Sequence, residues 1–304
     1  AERVFLLDSI GHISLPDSLF PNGIQDVIDR RLERVPAKAK ELLLLAAIAG
    51  RELNIPVIKT LAKGIDVDNA WLPLGAETAV LTLEQDRWQF SHAKIRDGLL
   101  AQLAEHTLAD KHRQVALAIE ATYPDNAEQA GRLAYHWGKA GHVEQERVYA
   151  LVAGRHAASQ FSNEEAIAYF SQALALVHED EPEQQYEILA AREAVFAVTG
   201  AARDRQQADM TALAEFADQL DEPVKKAKTA LSQAALYFDT TEYEKGIVTA
   251  QLAIQQGEYI GDESIELQVH FEWGRSARQI NRYDDAVDHL ESALDRSRRR
   301  DDWH

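Results

Sequence analysis

The 304-residue sequence predicts a mainly α chain in which a small domain of short helices and one β-hairpin leads into an array of helical hairpins. Two observations carry that expectation. Asn163-Glu164-Glu165-Ala166-Ile167, Glu242-Tyr243-Glu244-Lys245-Gly246-Ile247 and Arg282-Tyr283-Asp284-Asp285-Ala286-Val287 share one punctuation: a polar turn, a small residue, then a helix. Upstream, the apolar period shortens to two around Leu81, Leu83, Trp88 and Phe90, the signature of paired strands.

Taken in order, residues 1–22 read as a connector. A short apolar segment is followed by Leu15-Pro16-Asp17 and by Pro21-Asn22-Gly23, which close it off from the rest of the chain. A first domain is expected over residues 23–105. Ile24, Val27, Ile28, Leu32 and Val35 recur at helical spacing, and Pro36 ends that helix. A second helix runs from about Ala37 to Ala49, with Gly50 as its stop, and Asn54 caps a third through Leu61 with Pro56 near its start. A weaker fourth helix lies near Asn69 to Ala79. Then Leu81 and Leu83 alternate with polar residues, Glu84-Gln85-Asp86-Arg87 turns, and Trp88, Phe90 and His92 alternate back before a helix from Ala93 to Leu103. Three helices followed by a hairpin is the order of a winged helix.

Residues 106–304 are expected to form the array. In each of the three copies a further apolar or small residue falls four positions after the first (Phe170, Ala250, Leu290) and an alanine seven positions after it (Ala173, Ala253, Ala293). That spacing is one face of a helix. Gly246 and Ala286 stand 40 residues apart and Ala166 and Gly246 stand 80 apart, which leaves room for a degenerate copy around Ala208-Asp209. A helix upstream of each turn carries its own small residue, Gly154, Ala234 or Gly274. Trp137, Tyr149, Phe161, Tyr169 and Phe170 are expected to fill the seams between stacked hairpins.

This pattern resembles the tetratricopeptide repeat, in which small residues let the two helices of each unit approach closely; the family period is about 34, so these copies have longer helices or turns. The resemblance implies a right-handed α-superhelix whose inner wall is formed by the first helix of each hairpin. With Gly274 and Ala234 in the small position, Phe271, Arg275, Arg278 and Gln279 of the last copy face that wall. So do Lys228, Leu231 and Phe238 of the one before. These seven are the candidate partner- or effector-binding residues. The guanidinium groups suit carboxylates of an acidic or extended peptide, and Arg275 could equally pair with a carboxylate of a neighbouring helix. On the first reading, loss of Arg275 and Arg278 removes binding and leaves stability unchanged.

Ile24 to Val35, Leu42 to Gly50 and Phe90-Ser91-His92-Ala93-Lys94-Ile95-Arg96-Asp97 resemble the region that follows the nucleotide-binding module in STAND-class signalling ATPases, the MalT-like and kinase- or cyclase-linked bacterial proteins. Leu133-Ala134-Tyr135-His136-Trp137 resembles the first array helix of that class. The resemblance implies a piece of a longer cytoplasmic regulator, with an NTPase module upstream of Ala1 acting as partner in cis, and it implies ATP and magnesium for that parent. No cofactor is expected in this chain itself, because no Gly-x-x-x-x-Gly-Lys-Ser/Thr phosphate loop occurs in it. His92 is a candidate nucleotide-sensing residue by the same resemblance, with packing of the wing as its other role.

Composition narrows the remaining classes. With no cysteine there is neither a disulfide nor a thiolate ligand, which points to an intracellular setting, and no apolar run reaches the length of a membrane span. The net charge is −18; residues 1–100 hold 12 Lys and Arg against 14 Asp and Glu, leaving 20 against 36 for the array. That field repels nucleic acid. The segment from Asn69 to Ala79, which would enter a major groove, carries no Lys or Arg. His106 and His112, like His136 and His142, are six residues apart and fall on opposed faces of a helix, so no histidine metal site is expected. The expected function is recognition of a protein partner or effector by the array and relay to a nucleotide switch. The alternatives are a DNA-binding transcriptional regulator and a passive assembly scaffold.

Overall fold

The structure is a computed structural model that describes residues 28–101, 103–200 and 202–299. The expected connector, residues 1–22, and the start of the helix expected from Ile24 lie outside the described residues. The described chain is mainly helical with one two-stranded sheet, and it falls into two compact units that divide between His142 and Val143.

In the first unit a helical stretch at residues 28–33 precedes α1 (Ala37–Ala49). Ala39, Leu42, Leu43, Leu45, Ala46, Ala47 and Ile48 of α1 are all buried, and a helix this apolar around its circumference belongs at the centre of a core. Its last carbonyls are taken up by arginines of later helices: Arg96 Nε donates to the Ala47 oxygen at 2.7 Å and Arg132 Nη2 to that of Ala49 at 3.3 Å. Helix α2 (Ile55–Leu61) starts where Asn54 Oδ1 accepts the Val57 N–H at 3.2 Å, and the same oxygen accepts the Tyr123 hydroxyl at 2.9 Å. The weak fourth helix proves to be a π-helical turn, Val67–Trp71, running into α3 (Leu72–Glu77). Trp71 fills the core and donates its indole N–H to the Ala39 oxygen at 3.1 Å.

The hairpin is present as β1 (Leu81–Glu84) and β2 (Arg87–Phe90), paired antiparallel with Leu81 opposite Phe90. Gln85 and Asp86 both have positive φ, 49° and 61°, the backbone of a two-residue turn whose twist matches the strands. The segment between α1 and α2 joins this sheet: Glu52 bridges Gln89, and the Leu53 N–H donates to the Trp88 oxygen at 2.8 Å. Then come α4 (Ala93–Ala101), α5 (Glu105–Thr122), a 3₁₀ turn (Ala127–Gln129) and α6 (Ala130–Lys139). Helices α5 and α6, expected to open the array, belong to the first unit, where α5 packs on α1 and α2.

The second unit is four helical hairpins: α7 (Val143–Ser159) with α8 (Asn163–Leu174), α9 (Pro182–Thr199) with α10 (Arg203–Leu220), α11 (Pro223–Asp239) with α12 (Tyr243–Ile260), and α13 (Glu263–Gln279) with α14 (Tyr283–Arg299). The first helices end at Ser159, Thr199, Asp239 and Gln279, at intervals of 40 residues. Left-handed residues at Gly141, Phe161, Asp221, Thr241, Gly261 and Asn281 stand at multiples of 20. At four of these turns the bond that closes the helix is the same, Ser162 N–H to the Ala157 oxygen at 2.9 Å, with His142 to Trp137, Glu242 to Tyr237 and Arg282 to Ala277 as its counterparts. Most of the paired helices are 17 or 18 residues long, which with a short reversal sets the period at 40. Phe161, expected in a seam, instead sits at a turn tip with φ of 58° and 83% exposure.

Close approach within the hairpins rests on the small residues. A Cβ on Gly154 would lie 2.6 Å from Phe170 Cε1, and one on Gly274 would lie 2.7 Å from Leu290 Cγ. The degenerate copy is α10, and the residue in register with Ala166, Gly246 and Ala286 is Gln206, the fourth of its helix, not Ala208 or Asp209. Gln206 is buried and its Nε2 donates to buried Glu193 at 3.1 Å, so this hairpin closes on a polar pair where the others use small side chains. Beside it Arg192 holds Asp209 through two bonds, of 2.7 and 2.8 Å, and donates to Ser171 Oγ of α8 at 2.9 Å. Two substitutions separate turn from contact. Phe161→Gly relieves the left-handed strain and raises stability by about 1 kcal/mol, whereas Gly274→Leu, which must displace Leu290, lowers it by about 1–3 kcal/mol; denaturant titration of both variants measures the two signs.

Candidate functional site

The first helices of the four hairpins lie side by side. Tyr186 on α9 reaches α11, where its hydroxyl donates to the Lys225 carbonyl and meets Thr229 Oγ1, both at 3.1 Å. Arg275 on α13 stacks over Phe238 on α11 with its guanidinium carbon 3.8 Å from the ring centroid. Across this wall runs an open groove of about 700 Å³. Arg155 of α7, Glu187, Ala190 and Ala194 of α9, Lys228 and Leu231 of α11 and Gln268 of α13 line it. The apolar recess at its middle exists because α9 presents alanines there. Such a volume is ample for a small ligand or a short peptide segment.

Glu193, nine-tenths or more buried, lies at the base of the recess. Burial pushes its carboxyl above the usual range, the hydrogen bonds from Gln206 and Ser232 pull it back, and nearby Asp209 pushes it up again. Burial likewise raises the Tyr186 phenol. These groups are bonded to one another and form a rigid floor. Among the described residues, the groups facing the open space without an ion pair are Arg155, Glu187 and Lys228. In an array this acidic that is unusual: ten of the fifteen described lysines and arginines from Val143 onwards hold a carboxylate.

The seven residues picked from sequence separate into three sets. Lys228 and Leu231 line the groove. Phe238, Phe271 and Arg275 form a cluster of their own, the Arg275 guanidinium lying over Phe238 and 5.7 Å from the half-exposed Phe271 ring. Arg278 and Gln279 are exposed at the end of α13. The carboxylate partner of Arg275 is Glu272 of its own helix, not a group on a neighbouring one. His92 is exposed ahead of α4, where its Nδ1 accepts the Lys94 N–H at 3.1 Å.

Arg155, Glu187, Ala190, Glu193 and Ala194 escaped the sequence reading. The 40-residue register would have found Arg155, which stands three periods before Arg275. It would have missed the α9 residues by one, because the buried position there is Glu193 while Ala194, in strict register with Ala234, is exposed.

The histidines pair across helices. His112 Nδ1 lies 2.9 Å from His136 Nδ1, and His270 Nδ1 lies 2.7 Å from His289 Nδ1, with Trp273 stacked on His289 at 3.9 Å between centroids. Spacing along the sequence concealed both pairs, since the partners are on different helices. Each contact uses one proton between two ring nitrogens, so it needs a neutral ring as acceptor. Burial lowers His112 and His270 to about 4 and His136 to about 3, and it lowers His289 as well; neighbouring cations and the partner ring add to the effect in three of the four, and for His289 Arg282 does so against Asp285 and Asp288. Among the described residues no group of three or more His, Asp or Glu could hold a metal ion, and no helix is long and apolar enough to cross a membrane.

No family model and no curated protein sequence matches the chain. Among solved structures it is similar to the crystal structure of a Signal Transduction ATPase with Numerous Domains (STAND) protein with a tetratricopeptide repeat sensor from Pyrococcus horikoshii, at a TM-score of 0.46 and 11% identity over 92% of this chain. The match takes in 47% of that structure, so the chain spans about half its length.

The paired geometry changes what an Arg275 substitution does. Burial holds the Glu272 carboxyl above its usual range even with Arg275 beside it, and Asp239 adds to the rise. Arg275→Ala therefore destabilises the protein by about 1–3 kcal/mol through an orphaned carboxylate, against the unchanged stability expected from sequence, and adding Glu272→Gln recovers much of the loss in a urea titration. The histidine pairs set an acid limit. Their folded pKa values lie below the unfolded value near 6.5, so the native state binds fewer protons and their contribution is complete above pH 7 and lost as pH falls from about 6.5 towards 4. The melting temperature is expected to be flat above pH 7 and to fall over that window, less steeply in a His270→Leu/His289→Leu variant.

Proposed function

We propose that this chain is a non-catalytic sensor region of a STAND-like signalling ATPase, in which the hairpin array receives a protein partner or effector and the first unit passes its presence to a nucleotide switch. One observation carries the reading: an open groove crosses the first helices of the array, with an apolar recess and unpaired charges at its sides. A wall of this kind is preformed, so binding orders little of the protein.

The first unit supports an adaptor role. The order α1, the Glu52 bridge, α2, residues 67–77 and the β1–β2 hairpin is that of a winged helix, in which the segment between the first two helices joins the wing sheet. A DNA-reading version is disfavoured because residues 67–77, which would be the groove helix, contain Asp68 and Glu77 and no Lys or Arg. A passive scaffold would use the same groove without coupling it to a nucleotide. Coupling requires the occupant to bind two states of the switch with different affinity.

The test uses a longer protein that carries this chain behind an NTPase module. ATP binds that protein and not residues 1–304, and a groove ligand changes the ATP affinity. Ala194→Trp, which fills the recess from an exposed position, removes the change while shifting the melting temperature by less than about 2 °C. Nucleotide binding by the 304 residues alone, or coupling that survives a filled recess, would overturn the reading.

A further inference from the structure

We infer that the groove takes an extended peptide segment bearing two acidic side chains with a basic one between them. This rests on the array groove being the recognition site and adds the class of ligand. Crossing the wall from α7 to α11, the side chains left without ion pairs among the described residues are Arg155, then Glu187, then Lys228, a plus–minus–plus order. On α13 the next position is the neutral Gln268.

The other charges of the groove are already engaged. Lys225 is held by Glu183 and Glu222, at 2.5 and 2.6 Å. Asp262 caps α13, accepting the Ser264 and Ile265 N–H groups at 2.9 and 3.2 Å. Glu193 is bonded to Gln206 and Ser232 on the floor, where burial favours its neutral form. The triplet therefore remains to meet a ligand, and its complement is acidic, basic, acidic.

Spacing selects an extended chain. Packed helices lie about 8–10 Å apart, and an extended peptide advances about 3.3 Å per residue, so one helix is crossed in about three residues. A segment of seven residues can thus place charges at its first, fourth and seventh positions over α7, α9 and α11. Its intervening apolar side chains meet Ala190, Ala194 and Leu231. Guanidinium and ammonium groups at the two ends give charge-assisted bonds to carboxylates, while Glu187 rejects a third acidic residue at the centre.

The experiment pans a random heptapeptide library displayed on phage against the 304-residue protein, and against an Arg155→Glu/Lys228→Glu variant whose melting temperature is checked first. Both substituted positions are exposed, so the fold is retained. Wild type is expected to enrich Asp or Glu at two positions about six apart with Lys or Arg between them. The double variant is expected to enrich Lys or Arg at those ends, and to bind a synthetic copy of the wild-type consensus at least about 100-fold more weakly, roughly tenfold for each lost charge-assisted bond. Glu187→Lys should turn the central preference acidic.

Enrichment of apolar peptides without charge, or an acidic preference that survives the charge reversal, would overturn the peptide class while leaving the groove as the sensor site. No enrichment over an Ala194→Trp control would overturn the groove reading together with the inference.

Discussion

The second unit depends on one reversal of the chain, repeated every twenty residues. A left-handed residue ends each of several helices and the N–H of the next residue reaches back five positions, as in Ser162 to Ala157 and Arg282 to Ala277. Once the turns are fixed, so are the helix lengths, and once those are equal the same positions recur on the same face. The small residues then have their places: Gly154 and Gly274 stand where the second helix of each hairpin crosses, and no side chain fits there without displacing Phe170 or Leu290. The groove is a consequence of that register, because only equal first helices set side by side keep Arg155, Lys228 and Leu231 on one wall.

Hairpin α9–α10 shows what happens when the rule is relaxed. It replaces small-on-small contact with Glu193 on Gln206, and it ties itself to its neighbours through Arg192, Asp209 and Ser171. Buried polar contacts of this kind are costly to break and specify geometry more than they add stability. The same change moves alanines to the open face of α9 and creates the recess. The least regular repeat is thus the one that gives the groove its depth.

Much of the fold was legible in the sequence where a local rule decides it. The cap at Asn54, the two-residue hairpin turn at Gln85-Asp86 and the 40-residue spacing of Gly246 and Ala286 all stem from residue type and position. The inner-wall assignments of Lys228 and Leu231 came from one small residue, Ala234. The hidden features depend on residues far apart in sequence. His112 finds His136 and His270 finds His289 across helix pairs, and Glu193 finds Gln206 across a turn. Arg275 looked available for a ligand because its partner Glu272 is local and could not be distinguished from solvated carboxylates nearby. Phe161 looked like core because aromatic residues usually are, yet its position at a turn tip leaves it almost nothing to pack against.

Ligand is expected to meet the first helices of the hairpins and not the second ones. Amide hydrogen exchange of the 304-residue protein with and without a saturating selected heptapeptide tests this most directly. Added protection should fall in residues 148–158 of α7, 186–197 of α9 and 224–235 of α11, with α8, α10, α12 and α14 unchanged. Protection concentrated in those second helices, or confined to residues 28–139, would contradict it.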